Sequence, residues 1–529
     1  MIKTSVSYDE VGMLSTLTRD YIKGTPAIRN LYNLESNFEN VREVIDQKSL
    51  NSSVNRELLV TVLSNQYADL KPNKKVLHNI QSLKADNTFT ITTGHQLNLF
   101  TGPLYFVYKI VSVIKMSDDL KKRYPEYNFV PVYWMATEDH DFEEINHTFV
   151  SDQKLQWNSD QSGMVGEFST DEIDVVLEQL KSILDHSVFS EELIQTLREA
   201  YINHQDLSNA TRCLVNGLFE KFGLVIIDAN DTLLKQSFSK VVKDELIKGS
   251  SYNLVERTIK DQFKSYKVQV NPREINLFYA SNGIRERIIK EGDVYHVNNT
   301  DVNFDEISLL NELDKHPERF SPNVILRPLY QECILPNIMY IGGGAEVAYW
   351  LQLKSVFDYH KVVYPLLQIR NSFGIQGAKN RDKMKAFGLR VDELFENMDH
   401  LEKKVFKGGE DFSDEIAQFS QMLKDKLKDL TNQVKNVDRN LEKSIDGRKT
   451  RIENELYKME KTIFRSVKRR NQDQLNQLRD LKSELFPNGT FQERRVNIID
   501  MLRIYGDGFI DVIYEETESF NNSISILNI

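Results

Sequence analysis

Cysteine is scarce in this chain, which has only Cys213 and Cys333 among its 529 residues. Two cysteines this far apart cannot supply a cysteine-rich zinc site or a framework of disulfides. Their low number fits the reducing environment of the cytoplasm, where disulfides are rare. We therefore expect a cytoplasmic protein that is stabilised by an apolar core.

Glycine and proline are also few, with 23 and 12 of the 529 residues, or about 4% and 2%. Soluble proteins average about 7% glycine and 5% proline. The shortage excludes collagen-like chains, flexible linkers and turn-dense all-β folds, and it favours long helices.

Long apolar runs are missing as well. The most apolar stretch, Leu104–Met116, is interrupted by Lys109 and Lys115, whereas a membrane span needs about 20 apolar residues. Residues 1–10 carry acidic side chains and no apolar signal segment. The net charge of −11 argues against a protein that binds nucleic acid over its whole surface. We expect neither a membrane nor a nucleic acid as a partner.

A strand–helix–strand pattern begins the α/β part of the chain. Asn87–Thr93 is β-branched and predicts a short strand, and Pro103 is predicted at the first position of a helix that runs to about Arg123. The apolar run Asn128–Met135 predicts a strand buried on both faces, as in parallel sheets. Further strands are predicted at Gly223–Ile227, Val268–Val270, Asn276–Tyr279 and Val362–Leu367, with helix from about Asp171 to Lys221. This order predicts an α/β fold with a mostly parallel sheet and helical insertions.

The pattern changes after about Asp392. Apolar residues then recur at steps of three and four, which is coiled-coil spacing. The first of them are Phe419, Leu423, Leu427, Leu430, Val434, Val437 and Leu441. Pro487–Gly489 ends the pattern, and Asp446–Gly447 is either the turn of an antiparallel hairpin or part of a continuous helix. We expect an α/β core over residues 1–390, a coiled coil over 391–487 and a segment returning to the core over 488–529.

The first candidate site follows the predicted strand Asn87–Thr93. A strand end, a glycine turn and a helix N-terminus offer free backbone N–H groups that favour a phosphate or carboxylate. Lys109, two turns into the helix, is either a ligand-binding residue or a surface lysine. The alternative is an ordinary strand–turn–helix joint. The polar and glycine residues of this candidate site are Thr93, Gly94, His95, Gln96, Thr101 and Gly102.

The second candidate site is an acidic cluster directly after the strand Asn128–Met135. Ligands of open α/β sheets bind at the carboxyl ends of strands, so both sites should share one edge of the sheet. Carboxylates this dense need a cation nearby, which could be a metal, a substrate amine, or Arg and Lys side chains. The alternative is a solvated helix start. The residues assigned to this site are Glu138, Asp139, His140, Asp141 and Asn146.

The third candidate site is the glycine run Gly342, Gly343 and Gly344, followed by Glu346. Glycines let a ligand approach the backbone closely, although a tight loop would also explain them. Arg327 and Arg370 each lie near a predicted strand end and could bind a carboxylate or neutralise the acidic cluster. Neither a G-x-S-x-G elbow nor a P-loop sequence is present.

Three blocks of the sequence together resemble the BshC family, the cysteine ligases of bacillithiol biosynthesis. These blocks are TTGHQLNLFTGPLYFVYK (92–109), VPVYWMATEDHDFEEINH (130–147) and IGGGAEVAYWLQL (341–353). The resemblance implies a Rossmann-like nucleotide-binding core with helical insertions and a homodimer formed through the coiled coil. It also implies the last step of the pathway, in which cysteine is joined to glucosaminyl-malate by an amide bond.

Given this reaction, the positions of the candidate residues at predicted strand ends suggest their roles. His95 and the residues Glu138–Asp141 would be catalytic, and the other site residues would bind substrate or nucleotide. ATP, with Mg²⁺, would serve as a co-substrate, and no metal or zinc site is expected in the protein itself. Thr92 stands where related nucleotide-binding proteins have the first histidine of a His-x-Gly-His signature. Two other classes of function remain open, namely a metal-dependent hydrolase using Glu138–Asp141 and a non-catalytic coiled-coil scaffold.

Overall fold

A computed structural model describes residues 2–51, 54–184, 188–407, 412–434 and 439–529. The strands are β1 (Ile2–Ser7), β2 (Thr88–His95), β3 (Asn128–Met135), β4 (His147–Val150), β5 (Gln153–Gln156), β6 (Val225–Asp228), β7 (Leu277–Ser281), β8 (Ile284–Glu291), β9 (Val294–Val297), β10 (Asn303–Phe304), β11 (Phe320–Pro322), β12 (Asn337–Gly342), β13 (Leu366–Ile369), β14 (Ser372–Gln376) and β15 (Ser523–Asn528).

Helices make up most of the remaining secondary structure. They are α1 (Tyr8–Val11), α2 (Thr16–Ile22), α3 (Phe38–Asn51), α4 (Arg56–Gln66), α5 (Lys74–Ser82), α6 (Tyr105–Arg123), α7 (Phe142–Ile145), α8 (Ile173–Ile183), α9 (Val188–Ile202), α10 (Leu207–Phe219), α11 (Thr232–Lys248), α12 (Ser250–Gln262), α13 (Glu306–Lys315), α14 (Arg327–Ile334), α15 (Gly344–Trp350), α16 (Lys354–His360), α17 (Ala378–Ala386), α18 (Met398–Lys407), α19 (Phe412–Val434), α20 (Arg439–Arg470), α21 (Gln472–Leu485), α22 (Ile498–Tyr505) and α23 (Gly508–Glu516).

The chain divides into two compact units. The sheet unit consists of Ser7–Phe373 and Glu493–Ser525, and the helical unit consists of Met1–Val6, Gly374–Gln492 and Ile526–Ile529. No helix among the described residues is both long and apolar enough to cross a membrane.

The centre of the sheet unit is a five-stranded sheet with the order β13-β12-β2-β3-β6. Every neighbouring pair in it is parallel. If the five strands are numbered along the chain, the order read from β6 is 3-2-1-4-5, which is the Rossmann order. The strand order reverses between β2 and β12, so these two strands form the switch point beside which such folds bind ligands. The predicted α/β fold with a mostly parallel sheet is confirmed.

Burial explains the central strands. β3 has the bounds predicted from its apolar run, and only Asn128 is not fully buried. β2 is buried along its whole length although it contains several threonines. The hydroxyls of Thr90 and Thr92 lie 3.2 and 2.7 Å from Oδ1 of Asn337 on β12, so these polar groups are satisfied inside the sheet.

Part of the sheet unit differs from the sequence prediction. Val268–Val270 is not a strand, and the strands β7 to β11 form a second five-stranded sheet with the order β10-β9-β8-β7-β11. Every neighbouring pair in this sheet is antiparallel. Pro103 is not the first residue of the following helix, which begins at Tyr105. The chain first makes a 3-10 turn at Leu99–Thr101 and enters a left-handed conformation there.

The helical unit contains the predicted coiled-coil segment. α19 and α20 pack against each other. Nζ of Lys424 on α19 lies 3.9 Å from Oε1 of Glu453 on α20. α20 runs through Asp446–Gly447, so the interpretation of these residues as a turn is wrong and the continuous-helix alternative is confirmed. Val437, one of the predicted apolar positions, lies outside the described residues.

Candidate active site

A cavity of about 770 Å³ lies at the carboxyl ends of the parallel strands, beside the switch point. β2, β3, β12 and β13 all end at it, and the antiparallel sheet forms its opposite wall. The predicted site residues that line it are Gly94, His95, Gln96, Lys109, Glu138, Asp139, His140, Arg327, Gly343, Gly344, Glu346 and Arg370. The structure therefore brings members of all three candidate sites and both arginines to one cavity.

Lys109 and Glu346 form a buried ion pair that connects the two sides of the switch point. Nζ of Lys109 lies 2.6 Å from Oε2 of Glu346 and donates to the carbonyl oxygen of Gly94 at 2.9 Å. Glu346 also accepts from the backbone N–H of Gly343 and the hydroxyl of Tyr340, both at 2.8 Å. Burial raises the pKa of Glu346, but Lys109 and these hydrogen bonds outweigh it, so the pKa lies below its usual value.

His95 ends β2 and is buried between the aromatic rings of Tyr105 and Phe106. Burial, together with the charges of Lys109 and Arg370, holds the pKa of His95 well below 6.5. Its imidazole is therefore neutral at neutral pH. Nε2 is buried and has no hydrogen-bond partner among the described residues, whereas most buried polar atoms are paired.

Glu138 is neutralised by a lysine that is distant in the sequence and that no local sequence motif indicates. It forms an ion pair with Lys235 on α11, whose ammonium group also donates to the carbonyl oxygen of Phe320 at 3.0 Å. Burial lowers the pKa of Lys235, although the nearby Glu138 carboxylate opposes the shift. The cation that the dense acidic cluster required is thus partly supplied by the protein.

Asp139 faces the cavity with its side chain 29% exposed. Oδ2 accepts from Nε2 of Gln96 at 2.8 Å, and Oδ1 accepts from the backbone N–H of His140 at 2.8 Å. These bonds fix the carboxylate while leaving it accessible to a ligand. The glutamine and the aspartate belong to different predicted sites, and the strands β2 and β3 bring them together.

His140 receives a hydrogen bond from Arg285 of β8, with Nη1 2.5 Å from Nδ1. Burial and the charge of Arg285 lower the pKa of His140, while Asp139 acts in the opposite direction. The imidazole is therefore neutral at neutral pH, and its Nδ1 lone pair accepts from the guanidinium.

Arg370 and Arg327 differ in how they are held. Arg370 is buried and makes two hydrogen bonds to the carboxylate of Glu493, at 2.8 and 2.6 Å, which occupy most of its binding capacity. Arg327 donates to Gln331 at 3.1 Å, and its guanidinium lies within 6 Å of three aromatic ring centroids, namely those of Trp134, Tyr340 and Trp350. Arg327 is the arginine of this pair with greater capacity for a ligand.

Six predicted site residues do not line the cavity, and they are Thr93, Thr101, Gly102, Asp141, Asn146 and Gly342. Asp141 is exposed before α7, and the buried Asn146 follows that helix. Gly342 accepts from the backbone N–H of Arg370 at 2.9 Å, and Thr93 is buried within β2. Nδ2 of Asn497 donates to the carbonyl oxygens of Phe100 and Gly102, at 2.9 and 2.8 Å, so the Thr101–Gly102 turn is held away from the cavity.

Several cavity residues were missed by the sequence analysis. The basic ones among them are Arg273, Arg285, Arg287 and Arg494, while Lys235 reaches the site through Glu138. Glu138 and Lys235 are 97 residues apart. No local pattern in the sequence signals such a pairing, because it depends on how distant elements pack.

Among the described residues, no group of three or more His, Cys, Asp or Glu side chains is placed to hold a metal ion. The carboxylates of the acidic cluster that reach the cavity instead contact Lys235 and Gln96.

The fold and the cavity together define a Rossmann-like α/β protein with a cavity at its switch point and a helical coiled-coil domain. Residues 1–371 match the family model "Bacillithiol biosynthesis BshC, N-terminal Rossmann-like domain", and residues 375–529 match "Bacillithiol biosynthesis BshC, C-terminal coiled-coil domain". The chain belongs to the BshC family, and the resemblance found in the sequence is confirmed.

Similar proteins from bacteria span nearly the whole chain. A Flavobacterium johnsoniae protein named "Putative cysteine ligase BshC" is 41% identical over 525 residues, which are 99% of each chain. Proteins of the same name from Flavobacterium psychrophilum and Christiangramia forsetii are 40% and 38% identical, and both alignments cover 99% of this chain and 98% of the relative.

Proposed function

We propose that this protein is a nucleotide-dependent ligase of bacillithiol biosynthesis, which joins the carboxylate of cysteine to the amine of glucosaminyl-malate. The observation that carries the proposal is the cavity beside the switch point of the Rossmann-ordered sheet, because this is where such folds bind nucleotides. Its arginines and Lys109 suit anionic ligands, and Asp139 suits an amine. Membership of the BshC family supports the same reaction.

Amide formation from a free carboxylate is slow because hydroxide is a poor leaving group. When it is bound, ATP with Mg²⁺ would activate the carboxylate of cysteine. The donor set fits phosphate oxygens on the parallel-sheet side, where Arg327, Arg494 and Lys109 line the cavity. Arg327 and Lys109 would stabilise the negative charge that develops there, since preorganised donors act most strongly in a site that excludes water.

The attacking amine has to lose a proton before it can form the new bond. Asp139 is placed to bind the ammonium form of the glucosamine and to accept this proton, because its carboxylate is fixed by Gln96 and still faces the cavity. His95, with Nε2 free and a neutral ring, would donate to or accept from the bound substrate. We assign Asp139 the role of general base and His95 that of a substrate-binding residue.

The proposal includes a homodimer formed through the helical unit. Several large apolar side chains on α19 and α20 are exposed, namely Phe419, Met422, Leu430, Ile452, Tyr457 and Met459. Exposed apolar residues at helical spacing are typical of a surface that binds a partner helix. Light scattering of the purified protein would give twice the 61.6 kDa chain mass if the proposal is correct.

The test of the proposed reaction uses the purified full-length chain with glucosaminyl-malate, cysteine and ATP. We expect mass spectrometry to detect bacillithiol, and we expect its formation to require the nucleotide. The Asp139→Asn and His95→Ala variants should both be strongly impaired. Absence of the product from the unmodified protein with every common nucleoside triphosphate would contradict the proposal.

A further inference from the structure

Among the described residues, three arginines on the antiparallel-sheet side of the cavity form no direct ion pair. Arg285 and Arg287 are two residues apart on β8, so both face the cavity, and Arg273 lies in the connection before β7. In the described part of the chain, no Asp or Glu oxygen lies within 4.0 Å of any of these three guanidinium groups. The wall therefore presents three positive charges to the cavity without a direct ion pair, and the carboxylates of Glu138 and Asp139 act on Arg285 from a greater distance.

The opposite wall contains both paired and unpaired cations. There, Lys109 is paired with Glu346 at 2.6 Å and Arg370 with Glu493 at 2.6 Å, while Arg327 and Arg494 also line the cavity. Phosphate groups would bind the arginines of this wall, and a separate carboxylate ligand would bind the arginines of the antiparallel sheet.

Arg285 is also held in a fixed orientation. Its Nε donates to Oγ of Ser321 at 3.1 Å, its Nη1 donates to His140, and its guanidinium lies 4.0 Å from the ring centroid of Phe278. Arg287, half-buried on the same strand face, extends the donor surface beside it. Preoriented guanidinium groups bind carboxylates with two parallel hydrogen bonds at little entropic cost.

We propose that Arg273, Arg285 and Arg287 form a carboxylate subsite that selects the dicarboxylate end of the acceptor, which is its malate group. The assignment rests on the proposed function, because that function names the acceptor. It separates the cavity into an acceptor side on the antiparallel sheet and a nucleotide side on the parallel sheet. Phosphate oxygens share the same recognition chemistry, so the test has to distinguish the acceptor from the nucleotide.

Equilibrium binding by calorimetry provides this distinction and requires no turnover. The variants are Arg287→Ala and Arg273→Ala, because Arg285 also contacts His140 and Phe278 and its removal could disturb the fold. Lys290→Ala is the matched control, since Lys290 lies on β8 but is absent from the cavity lining and donates to Tyr295. The ligands are glucosaminyl-malate, methyl glucosaminide, which lacks both carboxylates, and ATP.

We expect the affinity of each arginine variant for glucosaminyl-malate to fall by about tenfold or more. The reason is that each variant loses a hydrogen bond to a charged group. Affinity for ATP should change less than about twofold, since the subsite lies on the other wall, and the control should match the unmodified protein. Arg287→Lys should recover part of the affinity because it keeps the charge but loses the planar donor pair.

Three results would overturn the subsite. One is that the arginine variants bind ATP more weakly and the acceptor normally, which would show that these arginines bind phosphate. The second is unchanged binding of both ligands, and the third is equal affinity of the unmodified protein for glucosaminyl-malate and methyl glucosaminide. Failure of the proposed ligase reaction would be seen separately, as missing amide product from a protein that still binds the acceptor through these arginines.

Discussion

Lys109 on α6 and Glu346 on α15 meet at 2.6 Å beside the switch point, with the lysine side chain only 4% exposed. Each residue follows a different strand of the parallel sheet, and each belonged to a different predicted site. The pair therefore ties the carboxyl ends of β2 and β12 together at the cavity. Because the lysine is withdrawn from water and the Glu346 side chain is only 24% exposed, loss of one partner should be costly.

Lys109→Met should destabilise the sheet unit by about 2 kcal/mol, because it leaves the partly buried Glu346 carboxylate without its cation. The measurement is the urea midpoint of the transition that reports on the sheet unit. Lys354→Met is the control, since Lys354 forms a more exposed ion pair with Asp358 at 2.7 Å, and such pairs contribute below about 1 kcal/mol. Equal shifts of the urea midpoint in the two variants would show that the Lys109–Glu346 pair contributes no more to stability than an exposed ion pair.

Asp139→Asn should lower kcat for bacillithiol formation by about 100-fold or more, which is the usual contribution of a general base. Binding of ATP should be retained, because the carboxylate is assigned to the amine. The control is Glu144→Gln, since Gln96 donates to Glu144 at 2.9 Å as well as to Asp139, but Glu144 is exposed and outside the cavity lining. Comparable losses of kcat in both variants would indicate that activity depends on how Gln96 is held and not on the Asp139 carboxylate itself.

The strongest local signals in the sequence led to correct structural predictions. β3 was predicted with its observed bounds because eight residues with few polar side chains leave little alternative to a strand buried on both faces. β12 was missed, although it is central to the switch point, since its glycine-rich end resembles a loop in isolation. The antiparallel sheet was largely missed for a related reason, as β8 mixes charged and apolar residues without strict alternation.

The candidate site was predictable in part for a topological reason. Residues after strands of one parallel sheet meet at one edge, which is why Gln96 and Asp139 could be placed near each other from sequence alone. Arg285 and His140 are 145 residues apart, and their contact requires a second sheet whose position no periodicity encodes. Long-range charge pairing of this kind becomes visible only when the elements are packed.

The buried His95 should make stability depend on pH. The pKa of His95 in the folded protein lies well below 6.5, because of burial and the charges of Lys109 and Arg370. Below about pH 6.5 the unfolded chain binds a proton at this residue and the folded chain does not, so the free energy of unfolding falls, by at most about 1.4 kcal/mol per pH unit. The stabilising contribution is therefore present above pH 6.5 and lost as the pH decreases.

His95→Gln should remove the contribution of one proton from the slope of the free energy of unfolding against pH. Urea unfolding at pH 7.5, 6.5 and 5.5 measures the slope for the variant and the unmodified protein, and the exposed His78, replaced in the same way, is the control. Parallel slopes for His95→Gln and the unmodified protein would contradict the expectation. Other histidines with lowered pKa values, such as His140, contribute equally to both proteins and cancel in the comparison.

Gly447→Ala tests whether α20 is continuous through Asp446–Gly447. In the helix, a Cβ at Gly447 would meet no atom within 4 Å, so alanine should raise the thermal midpoint of the helical unit through a gain of up to about 1 kcal/mol in helix propensity. Gly249→Ala is the opposite case, because its φ is +55° and a Cβ there would lie 2.7 Å from the carbonyl oxygen of Glu274. Alanine should therefore destabilise the protein at Gly249 and stabilise it at Gly447. Destabilisation at both positions would restore the turn interpretation, since a hairpin turn is where glycine is needed and a helix interior is where it is not.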